Sequence, residues 1–115
     1  MVGIIRVIKQ GDGELASPDP AKLIAGEYQT RTWNVDGDDK GPWAGIWECS
    51  PGKVNVDYTG EWEFCHVLEG EAVLTESNGE AFRVKAGDAF VIPEGFKGTW
   101  ETLVALRKYY VIVAV

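Results

Sequence analysis

Glu63-Phe-Cys-His-Val-Leu-Glu-Gly70 and Gly87-Asp-Ala-Phe-Val-Ile-Pro-Glu-Gly95 decide how this chain folds. Each is a short apolar run closed by glycine, and the second also carries Pro93, which cannot donate to a central ladder. Between them, residues 71–76 and 81–85 flank Ser77-Asn-Gly79, a hairpin turn in which Asn-Gly accepts positive φ at little cost. Glu69-Gly70 reads as a kink between strands over 63–68 and 71–76. Ala86-Gly-Asp88 reads as the turn into a strand over 89–92, with Asp88 accepting backbone hydrogen bonds there. The pattern is that of a small β-barrel.

The same punctuation continues outward. Residues 28–35 alternate Thr30, Thr32 and Asn34 against Gln29, Arg31, Trp33 and Val35, a strand with mixed faces. Residues 36–42 form a polar loop, residues 43–49 a strand, and Ser50-Pro-Gly52 a break before a strand over 54–58. Residues 98–103 and 108–113 are predicted to close the sheet. Toward the N-terminus, the β-branched run 2–8 is expected as an edge strand or as an arm exchanged with a second subunit. Ser17-Pro-Asp-Pro20 is turn chemistry, followed by at most one helical turn over 21–24. The expectation is one all-β domain over residues 1–115, with N-terminal strands and loops over 1–42 and the barrel over 43–115.

Composition agrees with that expectation. A chain of 115 residues that is 45% hydrophobic can build one core without cross-links. Its 14 glycines and 5 tryptophans, set among short segments, favour frequent turns and an aromatic-filled pleated interior. A formal charge of -7 with scattered Lys and Arg offers no basic face, so nucleic acid is not an expected partner. No run approaches the about 20 apolar residues of a membrane helix, and residues 1–8 lack the length and cleavage site of a secretory signal. A cytoplasmic location with no membrane partner is expected. Cys49 and Cys65 sit in apolar strand contexts and read as buried, reduced thiols. The acidic loop 36–39 lacks the spaced ligands and closing glutamate of an EF-hand.

The spacing of these segments resembles the cupin superfamily, whose two motifs run G-x5-H-x-H-x3-4-E-x6-G and G-x5-P-x-G-x2-H-x3-N. Gly87, Pro93 and Gly95 match the second, and the run from Glu63 to Gly70 matches the end of the first. Together with Gly45-Ile-Trp-Glu-Cys-Ser-Pro-Gly52, Phe96-Lys-Gly-Thr-Trp-Glu101 and Arg107-Lys-Tyr-Tyr110, they look like a single-domain cupin group. That group is similar to the cupin domains of ureidoglycine aminohydrolase and of an ethanolamine-utilisation protein. The resemblance covers residues 43–113 and implies a small double-stranded β-helix, or jelly-roll, barrel. It also implies a homodimer, since such proteins commonly exchange or pack N-terminal strands and residues 2–8 offer an apolar edge needing cover.

Position by position, the resemblance puts Glu63 on the family's metal-binding glutamate. The two upstream histidine positions fall on Asp57 and Thr59 with a three-residue gap, or on Val56 and Tyr58 with a four-residue gap. The histidine and asparagine positions of the second motif are Gly98 and Thr102. His66 is the chain's one histidine, so a three-histidine, one-glutamate set is excluded. A site reduced to Glu63, with or without Asp57, and water would bind hard cations weakly and nickel or iron poorly; a departure from the usual ligand set, Asp57, Glu63 and Cys65 or His66 with water, is the alternative. A divalent metal at Glu63 is the one cofactor the resemblance leaves open.

Glu63, Cys65 and Val67 share a face in a regular strand, and the resemblance puts that face inside. A buried glutamate without a metal must find donors or a nearby cation, or else keep its proton; Tyr58, Lys97, Arg107 and Lys108 are the candidate partners. His66 lies on the alternate face, and a bulge at Glu63 would turn it inward to make an acid–base pair. Trp47, Trp62, Phe90, Phe96 and Trp100 read as core or barrel-mouth packing. Trp100 shares the parity of Gly98, whose missing side chain would leave room for its ring, either closing the cavity or offering a stacking wall to a planar ligand. Arg107-Lys108 beside Tyr109-Tyr110 reads as the solvated end of a strand, with anchoring of a carboxylate as the alternative.

Three functional readings follow from these residues. One is a pocket that binds a small polar metabolite without a complete histidine-type metal site, contacted by Trp47, Asp57, Lys97 and Trp100. The second is an enzyme resembling ureidoglycine aminohydrolase or a related hydrolase or isomerase. In it Glu63 would act as acid–base residue or incomplete metal ligand, with Tyr58 and His66 as catalytic partners and Lys97 in support. The third is a structural or subunit-interaction module whose interior is filled by side chains.

Overall fold

The computed structural model describes residues 3–115, and among them the backbone forms nine strands and no helix. These are β1 (Glu14–Ala16), β2 (Leu23–Ala25), β3 (Thr30–Asp36), β4 (Trp43–Cys49), β5 (Gly52–Asp57), β6 (Glu61–Glu76), β7 (Ala81–Lys85), β8 (Ala89–Ile92) and β9 (Lys97–Ala114). The two longest, β6 and β9, run antiparallel from Glu61 opposite Ala114 to Glu76 opposite Gly98. The free edge of β9 takes β4 along its C-terminal half and β5 along its N-terminal half. The free edge of β6 takes β8 and then β7. β3 and β1 extend the sheet beyond β4, and β2 extends it beyond β5. The long strands therefore pass from one layer into the other, which folds the antiparallel sheet into a jelly roll.

Glu69-Gly70 is the hinge of that passage. The ladder shifts register between Val67 and Ala72, and Gly70 sits at φ +89°. A Cβ there would collide with the Ala105 carbonyl oxygen and lie 2.7 Å from the Leu106 Cα, so only glycine lets the crossing strands approach. The expected kink is thus a bulge within one strand, not a break between two. β9 likewise joins the two strands expected over 98–103 and 108–113. Alternation lapses where Leu103, Val104 and Ala105 face outward, but the ladder to β6 continues through Val104 and Arg107.

Side chains from the inner faces fill the space between the layers, with Cys65, Val67, Ala72 and Val84 fully buried among Val54, Leu74, Ile92 and Leu106. Both cysteines are buried and free. In the 77–79 turn, Gly79 alone takes positive φ, while the Asn78 side chain accepts the Glu80 N–H at 2.9 Å.

The N-terminal third departs from expectation. Of the 2–8 run, Val2 lies outside the described residues, and residues 3–10 form no ladder and are exposed. β-Propensity without a partner strand offers too little to order a segment as a strand. Lys9 nevertheless holds the arm to the body through an ion pair with Glu48 and a position 4.7 Å over the Trp33 ring. The turn after Pro20 is one hydrogen-bonded loop from Asp19 to Leu23, after which the chain extends at once as β2.

Candidate functional site

A cleft of about 410 Å³ opens between the layers, walled by Trp43, Trp47, Trp100, Tyr28, Tyr58 and Tyr110. Clefts of similar size lie elsewhere, one beside Arg31, Glu48 and Arg107 and one beside Phe82, Phe90 and Phe96. The inter-layer cleft differs from these in chemistry. Glu63 and Lys108, the two charged side chains buried among the described residues, both line it.

Alternation along β9 explains how a lysine comes to be inside. Leu106, Lys108 and Tyr110 all point inward, while Arg107 and Tyr109 do not. Lys108 stands opposite Val67 on β6, four residues from Glu63, a distance of roughly 13 Å along the strand. The two side chains reach along the inner face to meet. Lys108 Nζ lies 3.0 Å from Glu63 Oε2 and donates to Cys65 Sγ at 3.3 Å on the way. Two indole faces flank the ammonium, with Nζ 4.5 Å from the Trp47 ring and 4.8 Å from the Trp100 ring. The second carboxylate oxygen, Oε1, accepts the Tyr58 hydroxyl at 2.7 Å.

The surrounding groups keep their protons. Burial is the largest single influence on Lys108 and works to lower its pKa, but the Glu63 charge, Cys65 and the hydrogen bonds to both together outweigh it, and the ammonium is held above its ordinary value. Burial pushes the Cys65 thiol up to about 12, with Lys108 pulling the other way. Cys65 is therefore a neutral acceptor at pH 7, and Glu63 supplies the counter-charge. Burial and then Glu63 raise the Tyr58 phenol, burial and then Cys49 raise Tyr28, and Tyr110 is pushed up to about 12 by burial and Glu63.

All these shifts are upward, so the folded chain retains protons that the unfolded chain releases. Each group contributes stability that is complete below its ordinary value, 9.0 for Cys65, 10.0 for the tyrosines and 10.5 for Lys108, and is lost as pH rises beyond it. Unfolding free energy is expected to be level from neutral pH to about 9 and then to fall by about 1.4 kcal/mol per pH unit for each group that titrates. Urea titrations at stepped pH, read together with phenolate absorbance, check this. Ionisation of all 4 tyrosines with the fold intact would contradict it.

The residues named from sequence are brought together only in part. Glu63, Tyr58, Trp47 and Trp100 meet at the cleft. Asp57 is exposed at the end of β5, its Oδ1 capping Thr59 N–H at 2.9 Å and Thr59 Oγ1 at 2.7 Å. Lys97 is exposed and stands opposite Asp57. His66 stays on the outer face beside Tyr109, because the ladder from Glu63 to His66 is regular and no bulge turns it. The proposed Glu63–His66 pair is therefore not formed. Lys108 is buried, not solvated, whereas Arg107 does lie at the surface with Glu48 and Glu69. Trp43, Tyr28 and Asn34 were not among the sequence candidates, and Tyr110 entered only beside Arg107-Lys108. Tyr110 donates to Asn34 Oδ1 at 2.7 Å near the mouth, and its place in the inward alternation was the available signal.

The metal that the cupin resemblance implies does not suit this donor set. Val56 and Tyr58, not Asp57 and Thr59, are the pair that lines the cleft, so the two upstream histidine positions carry an aliphatic side chain and a phenol. Both oxygens of Glu63 are engaged by the chain's own donors, one of them a cation. Gly98 is pressed against the Thr75 carbonyl oxygen, where a Cβ would collide. The sequence argument that Gly98 clears space for the Trp100 ring is corrected accordingly: what Gly98 makes room for is the β6 backbone.

The sequence model of the EutQ-like cupin domain family matches residues 37–110. No curated protein matches the chain. Among solved structures, a Pseudomonas syringae protein of unknown function from the DUF861 family superposes with a TM-score of 0.75 at 23% identity, over 97% of this chain and 45% of that one. This chain thus spans less than half the length of that relative. A DUF861 family protein from Thermotoga maritima is 31% identical with a TM-score of 0.54, over 56% of this chain and 73% of that one. A putative ethanolamine utilization protein Q from Salmonella typhimurium is 26% identical with a TM-score of 0.64, over 77% and 71%.

Proposed function

The chain belongs to the EutQ-like cupin domain family, and from that premise we propose that it binds a small, planar, polar molecule in the cleft between its layers, without metal-ligating histidines. The observation that carries this is a desolvated Glu63–Lys108 pair set in a wall of indole and phenol rings. A side-chain-filled structural interior has no use for a buried ion pair, since apolar residues of the same volume stabilise as well or better. A cleft of about 410 Å³ is in the size range of small-molecule sites. Glu63 and Lys108 cancel each other's charge, so the cleft favours an uncharged ligand, stacked on Trp47 and oriented by hydrogen bonds to Tyr110 and Asn34.

A thermal-shift panel of planar amides, ureides and nitrogen heterocycles tests the proposal. At least one compound is expected to raise the melting temperature, by an amount approaching about 2.7 kcal/mol of stabilisation at a hundredfold excess over its dissociation constant. Trp47→Ala, at a half-buried position, should abolish that shift while leaving a folded protein. A panel with no response would instead support the structural module.

The contact of a carboxylate, a phenol and an ammonium favours a second reading, an enzyme in which Glu63 moves a proton. Tyr58 argues against it, because burial and Glu63 raise its pKa and make it a hydrogen-bond donor and not a proton donor at neutral pH. A bound panel compound converted by the wild-type chain and merely bound by Glu63→Gln would establish the enzyme.

A further inference from the structure

We infer that Lys108 takes the place of the metal ion: its ammonium is the built-in cation that occupies Glu63, and it keeps divalent ions out of the cleft. The inference concerns the same cleft as the proposed function but not its ligand, and it stands or falls whether or not a ligand is found.

Three observations carry it. Glu63 sits where the cupin motif places its metal-binding carboxylate, and there it meets Lys108 Nζ at 3.0 Å and the Tyr58 hydroxyl at 2.7 Å. A divalent ion approaching Oε2 would have to displace an ammonium buried to 3% exposure, which otherwise rests against Cys65 Sγ and the Trp47 and Trp100 faces. In so poorly solvated a place the mutual repulsion of two cations is far stronger than in water. Finally, the backbone itself closes one ligand position, because any side chain at Gly98 collides with the Thr75 carbonyl. The site has exchanged an external cation for an internal one, and Tyr58 and Lys108 satisfy the carboxylate that a metal would otherwise hold.

The test uses metal alone. Zinc or manganese in tenfold excess is expected to move the wild-type melting temperature by less than about 1 °C, and native mass spectrometry should show the metal-free mass. Lys108→Met frees Glu63 Oε2 and Cys65 Sγ, an oxygen and a sulfur donor of the types zinc accepts, with water to complete the coordination. That variant should melt several degrees higher with zinc than with chelator. If it proves too unstable to purify, refolding it with and without zinc reads the same property: a zinc-dependent yield supports the inference, and equal yields overturn it. Wild-type chain that takes up one zinc or manganese ion, lost in Glu63→Gln, overturns it outright.

Discussion

Lys108→Met is expected to lower the unfolding free energy by about 3–5 kcal/mol, the range found when one partner of a buried ion pair is removed. Glu63 would then be left 3% exposed with Tyr58 as its remaining donor, and a carboxylate in that position must either stay charged without a counter-ion or take up a proton. Against a total stability of about 5–15 kcal/mol for a domain, such a loss is large. Glu63→Gln should cost a similar amount, since it strands the ammonium between two indoles. The double variant Glu63→Gln, Lys108→Met should lose much less than the two singles combined, because neither buried charge remains. Urea denaturation of the four proteins closes this cycle. Additive losses would mean that the two charges do not interact, and would remove the physical basis of the site.

The second large effect is at Trp100. Its ring is buried at 3% exposure, packs edge-on against Trp47 with centroids 5.5 Å apart, and donates its indole N–H to Thr102 Oγ1 at 2.8 Å. Thr102 in turn meets Cys49 Sγ at 3.0 Å. Trp100→Ala should cost about 3–5 kcal/mol, from lost burial plus the cavity left behind. Trp100→Phe keeps most of the packing and loses chiefly one hydrogen bond, about 0.5–1.5 kcal/mol. Equal losses in the two variants would mean that the hydrogen bond, and not the ring, holds this wall. Because Trp100 also faces Lys108 Nζ, Trp100→Ala should abolish any ligand-induced thermal shift as well.

The β-barrel was legible because its signals are local, while the jelly roll came from the cupin resemblance. Gly70, Gly79 and Pro93 each impose a backbone restriction that the surrounding fold must accommodate. Strand continuity was not legible, since β6 and β9 cross between layers where alternation lapses, and their unity lies in cross-strand pairing that no single segment displays. Register separates the two ways of aligning the upstream histidine positions. A gap of three or four residues before Glu63 is equally plausible on paper, and only the folded chain, which lines the cleft with Val56 of β5 and Tyr58 just beyond it, decides between them. Lys108 was rightly named as a candidate partner for Glu63, and only its reading as part of a solvated strand end failed, for a different reason. Lysine is almost never fully buried without a partner, and its partner Glu63 lies 45 residues away in a different strand. The alternation of Leu106, Lys108 and Tyr110 was the contrary signal, and Glu63, already assigned to the interior, was the partner that made it credible.

Diffraction from crystals of wild-type protein prepared without chelator, with data collected above the zinc and manganese absorption edges, tests the central claim most directly. The account predicts Lys108 Nζ at about 3 Å from Glu63 Oε2, the Tyr58 hydroxyl on Oε1, and no anomalous peak beside the carboxylate. An anomalous peak about 2.0–2.2 Å from Glu63, with the Lys108 side chain swung away, would contradict it.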